Sequence, residues 1–204
     1  LHRGWKCARN LEWTPIRSFL TSKADATCIF STDACGKAKD HEAGLGGVLL
    51  TAESNIDYFS GYRHHAPWTL FARPFFEVIS ADGRAVLVAH AFLTPEMERT
   101  SAVRDIRAYA QSGGALDPLL DCLREVGLDR ARLGMEFGAE QRLGVTQAEL
   151  ESLKGRLPNA ELVDAAPLLW RVRMIKSRAE QFLMRESAAI TATAMAAGFA
   201  HAGP

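Results

Sequence analysis

At 204 residues the chain is long enough to bury one sizeable core, with or without appendages. Hydrophobic residues make up 48% and charged residues 24%, a globular composition that excludes a disordered chain. Lys+Arg and Asp+Glu cancel at 24 each, so no global field recruits nucleic acid or an anionic membrane surface, and neither is expected as a partner. No apolar run approaches the ~20 residues that span a bilayer. The opening LHRGWK also lacks the apolar core of a secretory signal, so a cytoplasmic location is the expectation. Cys7, Cys28, Cys35 and Cys122 form no C-x-x-C pair and fit no zinc spacing. Four reduced thiols fit that pattern, with a disulfide among the first three left open.

Residues 1–43 stand apart. They hold two of the four tryptophans and three of the four cysteines and show no sustained period. Residues 36–45 make a poor helix, with Gly36 and Gly44 near its ends. The segment reads either as a genuine extension or as a fragment or misjoined reading frame. From Gly46 the signals become regular. Val48, Leu49 and Leu50 form a short apolar run of the kind buried on both faces of a sheet. Residues 74–80 and 84–89 flank Ala81-Asp82-Gly83, which predicts a hairpin. Thr94 reads as an N-cap and Pro95 as the first helical residue, with Glu96 and Glu98 at the helix's positive end.

Asp117-Pro118 opens a second helix with Leu119, Leu120, Leu123 and Val126 on one face, closed by Gly127. Residues 132–137 read as a strand. Thr146 and Glu149 make a capping box, Leu150, Leu153 and Leu157 give that helix its apolar stripe, and Pro158 stops it. Residues 161–163 are a last short strand. Ser177 and Glu180 make a second capping box, opening a helix that reaches about Ala197. Alternating strands and helices predict an α/β domain, and the Asp-Gly hairpin makes its sheet mixed.

The chemistry-bearing residues are sparse. None of the six histidines, His2, His41, His64, His65, His90 and His201, lies in a metal-ligand motif. There is no G-x-S-x-G elbow, because Phe59-Ser60-Gly61 lacks the first glycine. The glycine-rich stretches do not follow a strand and open a helix, so phosphate cradling is not expected. Residues 62–75, YRHHAPWTLFARPF, are odd for a plain connector, with two His, Trp68, Phe71 and two arginines between turn breakers. On the residues alone, Phe71 reads as core and Arg73 as a solvated or locally paired arginine. Tyr58 and Tyr62 read as packing residues, and Glu136 as a structural carboxylate at a strand end.

Two stretches carry a resemblance. Residues 46–62, GGVLLTAESNIDYFSGY, resemble the opening of the N-terminal domain of the creatinase, prolidase and aminopeptidase P (Xaa-Pro peptidase) family. Residues 155–188, with Arg173, Lys176, Ser177 and Glu180 in an Arg-x-x-Lys-Ser-x-x-Glu pattern, resemble that domain's exit. The likeness runs from about residue 44 to 204. It implies a six-stranded mixed sheet flanked by helices, with ribonuclease H-like topology, over residues 44–176. Residues 177–204 would then be a linker helix leading to a C-terminal catalytic domain of the pita-bread fold, which this chain does not contain.

In the family that second domain uses two Asp, one His and two Glu to hold two divalent metal ions (Mn, Co or Zn). The resemblance thus implies a non-catalytic N-terminal domain that supports a homodimer and caps the site of a metal-dependent Xaa-Pro peptidase or creatinase-like C–N hydrolase. This chain alone would not be an enzyme and would hold no metal. The substrate would be a peptide or a small carboxylate. In creatinase-like members a Phe-x-Arg before the next strand reaches the neighbouring subunit's site, where the Arg binds a substrate carboxylate. That role falls here on Phe71 and Arg73. The alternative is a stand-alone protein-binding module derived from the family.

Overall fold

The computed structural model describes residues 44–62, 73–111 and 113–202. In chain order the elements are β1 (Leu45–Leu50), α1 (Glu53–Ser60), β2 (Phe76–Ser80), β3 (Ala85–His90), α2 (Thr94–Thr100), β4 (Asp105–Tyr109), α3 (Leu116–Glu125), β5 (Arg132–Met135), α4 (Gln147–Arg156), β6 (Glu161–Asp164), α5 (Ala166–Met174) and α6 (Arg178–His201). The six strands form one sheet in the order β4-β3-β2-β1-β5-β6. β1–β2 and β2–β3 are antiparallel, while β1–β5, β3–β4 and β5–β6 are parallel. This is the mixed sheet flanked by helices that the sequence and its resemblance imply. The atypical segment 1–43 lies outside the described residues.

The hairpin β2–β3 forms where Asp82-Gly83 predicts it, with Gly83 at φ 89, a backbone conformation that a residue with a Cβ adopts at a steric cost. Alternation along the central strands sorts their side chains to two faces. One face sets Leu49, Val78, Phe76, Val86, Val88, Leu133 and Met135 against α3 and α4, whose Leu119, Leu120, Leu123 and Leu153 are buried with them. The other carries Val48, Leu50, Ile79 and Leu87, all fully buried, on the side of α1 with its buried Ile56 and Phe59. Each such side chain contributes roughly 1.5–3 kcal/mol of burial free energy, so the two apolar faces are the main source of stability.

Both predicted capping boxes are present. The Thr146 and Ser177 hydroxyls accept from the Glu149 and Glu180 amides, and those two glutamates reach back to the cap amides. Three elements were not legible. The polar turn after Leu50 is the start of α1, which ends on Gly61 at φ 71. β4 is an edge strand with Asp105 and Arg107 on it and only Tyr109 buried, so it lacks an apolar run. The third is α5, hidden in the APLLWRVRM stretch.

Two boundaries also move. Thr94 is not an N-cap: helix α2 begins at Thr94, Leu93 precedes it, and the Thr94 hydroxyl donates to the Ala91 carbonyl instead of accepting an amide. β5 ends at Met135, which leaves Glu136 and Phe137 beyond the strand.

The chain divides into two compact units, Leu1–Leu169 and Trp170–Pro204. The second consists chiefly of α6, none of whose residues is buried. No helix among the described residues is long and apolar enough to cross a membrane.

Candidate functional site

Arg73 is the one sequence-nominated site residue that is described; Phe71, with His64, His65 and Trp68, lies outside the described residues. Arg73 stands immediately ahead of Pro74, which biases its backbone to an extended conformation. The chain is then tied down on both sides of that proline. The Tyr109 hydroxyl, buried at the end of β4, donates to the Pro74 carbonyl at 2.6 Å. Phe75 is fully buried, with its ring edge-on to Tyr62 at 5.8 Å.

The Arg73 guanidinium lies over the ring of Phe92, its carbon 5.3 Å from the ring centroid. That ring is 53% exposed, so the cation–π contact is a surface one. Phe92 follows the end of β3, where its amide donates to His90 Nδ1 at 3.3 Å. With Nδ1 accepting, the tautomer that fits carries its proton on Nε2, which donates to the Ala110 carbonyl at 3.1 Å. The His90 ring meets Tyr109 edge-on at 5.2 Å. Strand ends of β3 and β4 and the entry to β2 therefore converge on one cluster: Arg73, Phe92, His90 and Tyr109.

Electrostatics in the cluster follow its burial. The Tyr109 hydroxyl is pushed up to about 12, by burial first, then by the Glu149 charge, with the Arg73 charge opposing. It therefore stays a hydrogen-bond donor at neutral pH. Arg73 forms no ion pair among the described residues, whereas Arg84 and Arg107 share Glu125 and Asp105. A guanidinium that is backed by an aromatic ring and meets no carboxylate among the described residues can take a planar anion along its N–H edge.

A second polar group sits at the ends of β1 and β5. Glu136, 1% exposed, accepts from the Thr51 amide at 2.8 Å, the Thr51 hydroxyl at 2.6 Å, the Ala52 amide at 3.0 Å and the Asn55 side chain at 2.6 Å. Its carboxylate thus occupies the N-terminal end of α1, where orphan amides and the helix dipole favour an anion. Burial pushes its pKa up and these donors pull it back. This is the structural carboxylate that the sequence predicts. Nearby Glu77, also 1% exposed, has one carboxyl oxygen without a partner, and its pKa is raised well above the usual range by burial first and the Glu136 charge second.

Among the described residues no group of three or more His, Cys, Asp or Glu could hold a metal ion. Cys122 is free and buried, its thiol pushed up to about 11 by burial, and is inert as a nucleophile or ligand. The residues sequence reasoning missed are Phe92, His90 and Tyr109. Their signal would have been Tyr109 closing a strand, but β4 itself was unread.

Known proteins share this sequence pattern and fold. Residues 37–175 match the family model described as the creatinase/prolidase N-terminal domain. An uncharacterized hydrolase/peptidase of Sinorhizobium fredii is 29% identical over 149 residues, covering 71% of this chain and 37% of the relative. The creatinase of a Bacillus species is 26% identical over 149 residues, covering 73% of this chain and 34% of the relative. The chain thus spans little more than a third of the length of the curated relatives it matches. Among solved structures, a Xaa-Pro dipeptidase from Bacillus anthracis has the same fold, with a TM-score of 0.66 at 20% identity over 91% of this chain and 44% of that one. With the family match covering well over half of its length, the chain belongs to the creatinase/prolidase N-terminal domain family.

Proposed function

We propose that the chain is a non-catalytic domain that caps the active site and supports a homodimer of a longer, metal-dependent hydrolase. The parent reaction would be cleavage of a C–N bond, in an Xaa-Pro peptide or a small carboxylate-bearing amide. Membership of the family supports this, as do the names of its relatives, a creatinase and a hydrolase/peptidase. Residues 177–204 are then the linker helix, and residues 44–176 the domain proper. The described residues do not fit the two divalent ions, Mn, Co or Zn, which belong to the second domain in this reading.

The observation that carries the reading is Arg73, stacked on Phe92 and without a carboxylate partner among the described residues. In the dimer this arginine, with Phe71, would reach the neighbouring subunit's site and bind a substrate carboxylate. The test is kinetic and is made on the longer protein that carries this domain. Hydrogen bonds to charged groups contribute roughly 1.5–3 kcal/mol, so Arg73→Ala is expected to lower kcat/KM about ten- to hundred-fold at 1.4 kcal/mol per decade. Arg73→Lys restores only part, because an ammonium lacks the planar fork. Unchanged kinetics together with a lowered denaturation midpoint of the 204-residue chain would assign Arg73 to the scaffold.

A further inference from the structure

The geometry points to Tyr109 and Phe92 as positioning residues that hold the Arg73 guanidinium in one pose, with an edge that meets no carboxylate among the described residues and suits a planar anion. The inference rests on the carboxylate-binding reading of Arg73 and adds the residues that make such a site preformed. An arginine side chain carries about 2 kcal/mol of rotamer entropy, and a free one would lose much of that on binding. Holding it in advance removes part of the cost.

A short chain of contacts does the holding. Tyr109 Oη–H on the Pro74 carbonyl fixes the main chain one residue after Arg73, and this bond is buried. Its 2.6 Å length is short within the range for a hydroxyl donor. The Phe92 ring covers one face of the guanidinium. Phe92 is itself held by the hydrogen bond its amide donates to His90 Nδ1, and His90 is held by the Ala110 carbonyl and the Tyr109 ring. Both lines of support return to Tyr109. Two of the guanidinium's surroundings are thereby set, and the N–H edge away from Phe92 meets no carboxylate of the described residues.

The test uses the 204-residue chain labelled with 15N-arginine, reading the Arg73 Nε–Hε signal, assigned by its loss in Arg73→Lys. In the wild type the Phe92 ring current is expected to displace this signal from those of the exposed arginines. Phe92→Ala and Tyr109→Phe are each expected to return it toward the exposed group, and Phe92→Tyr to leave it displaced, because the ring is kept. The Arg107 signal, from an arginine paired with Asp105 and Glu125 on β4, serves as control and is expected to stay put.

An Arg73 signal that Tyr109→Phe and Phe92→Ala both leave in its wild-type place overturns the inference. If Tyr109→Phe moves Arg107 too, the Phe92 variants decide alone, since that ring is exposed and its loss spares the core. Acetate separates this inference from the reading beneath it. Added acetate is expected to move the Arg73 signal in the wild type and less so in Phe92→Ala. If the ring-current pattern is as expected but acetate moves nothing, the pose stands and the carboxylate reading falls.

Discussion

Glu77 on β2 lies opposite Leu50 on β1, and Glu136, one residue past the end of β5, accepts from the amides of Thr51 and Ala52, the two residues that follow Leu50. Two buried carboxyls therefore lie near one another at the end of β1. They are not equivalent. Glu136 is surrounded by donors, whereas Glu77 has an unpartnered oxygen and feels the Glu136 charge. Burial and the Glu136 charge raise the Glu77 pKa well above the usual range, while the donors around Glu136 oppose the rise that burial causes there.

A pH dependence follows from Glu77. Its folded-state pKa is raised, so from the ordinary carboxylate range upward the folded chain holds a proton that the unfolded chain has lost. The unfolded state binds fewer protons there, and stability falls as pH rises through that window. The limiting slope for one proton is about 1.4 kcal/mol per pH unit, or roughly 3–5 °C in Tm for a chain of this size. Thermal melts from about pH 5 upward, on wild type and Glu77→Gln, isolate the effect as a difference between the two curves. Glu77→Gln is expected to be flatter and to gain on the wild type with rising pH. Parallel curves would mean that Glu77 ionises in the folded chain as it does in the unfolded one.

The Glu136 anchor makes a second expectation. Both of its oxygens face donors, so Glu136→Gln turns an NH2 against an N–H whichever way the amide is placed. A cost of about 2–3 kcal/mol is expected, and more for Glu136→Ala, which strands buried donors. Thr51 couples this anchor to the loop after β5. Its hydroxyl donates to Glu136 and accepts from the Gly144 amide at 2.8 Å. A Cβ at Gly144 would fall 1.9 Å from the Thr51 carbonyl oxygen, so Gly144→Ala must push the loop off. Because the two substitutions act through one residue, their effects should be non-additive by about 0.5–3 kcal/mol. Urea midpoints of the two single variants and the double variant measure this, and simple additivity would show that Thr51 does not link them.

Much of the fold could be read from the sequence because its signals are local. Asp82-Gly83 between two β-rich runs and the Thr146 and Ser177 capping boxes each carry their own chemistry, and each lies where it was expected. The family likeness added the sixth strand, which composition could not supply: β4 is an edge strand that carries Asp105 and Arg107 and buries only Tyr109. The same blind spot hid the candidate site. Arg73 could be nominated by resemblance, but Phe92 meets it across the β2–β3 pairing and Tyr109 joins His90 across the β3–β4 pairing, contacts that no local pattern encodes. Glu136 was readable as a strand-end carboxylate. Its partners Thr51 and Asn55, more than 80 residues away in sequence, were not.

The N-terminal segment gives the last expectation. The family match begins at residue 37, and the first described strand, β1, at Leu45. β1 is already flanked by β2 and β5, so the interior of the sheet has no vacant place for another strand. Removing residues 1–36 should therefore leave the sheet intact. The expected fall in Tm is less than ~8 °C, on the order of 2 kcal/mol for a chain of this length. Far-ultraviolet circular dichroism should lose no strand signal, and the melt should remain a single transition. A larger fall, or loss of the cooperative transition, would mean that the segment packs on the domain and belongs to its core, in which case residues 1–43 are a genuine part of the fold and not a misjoined frame.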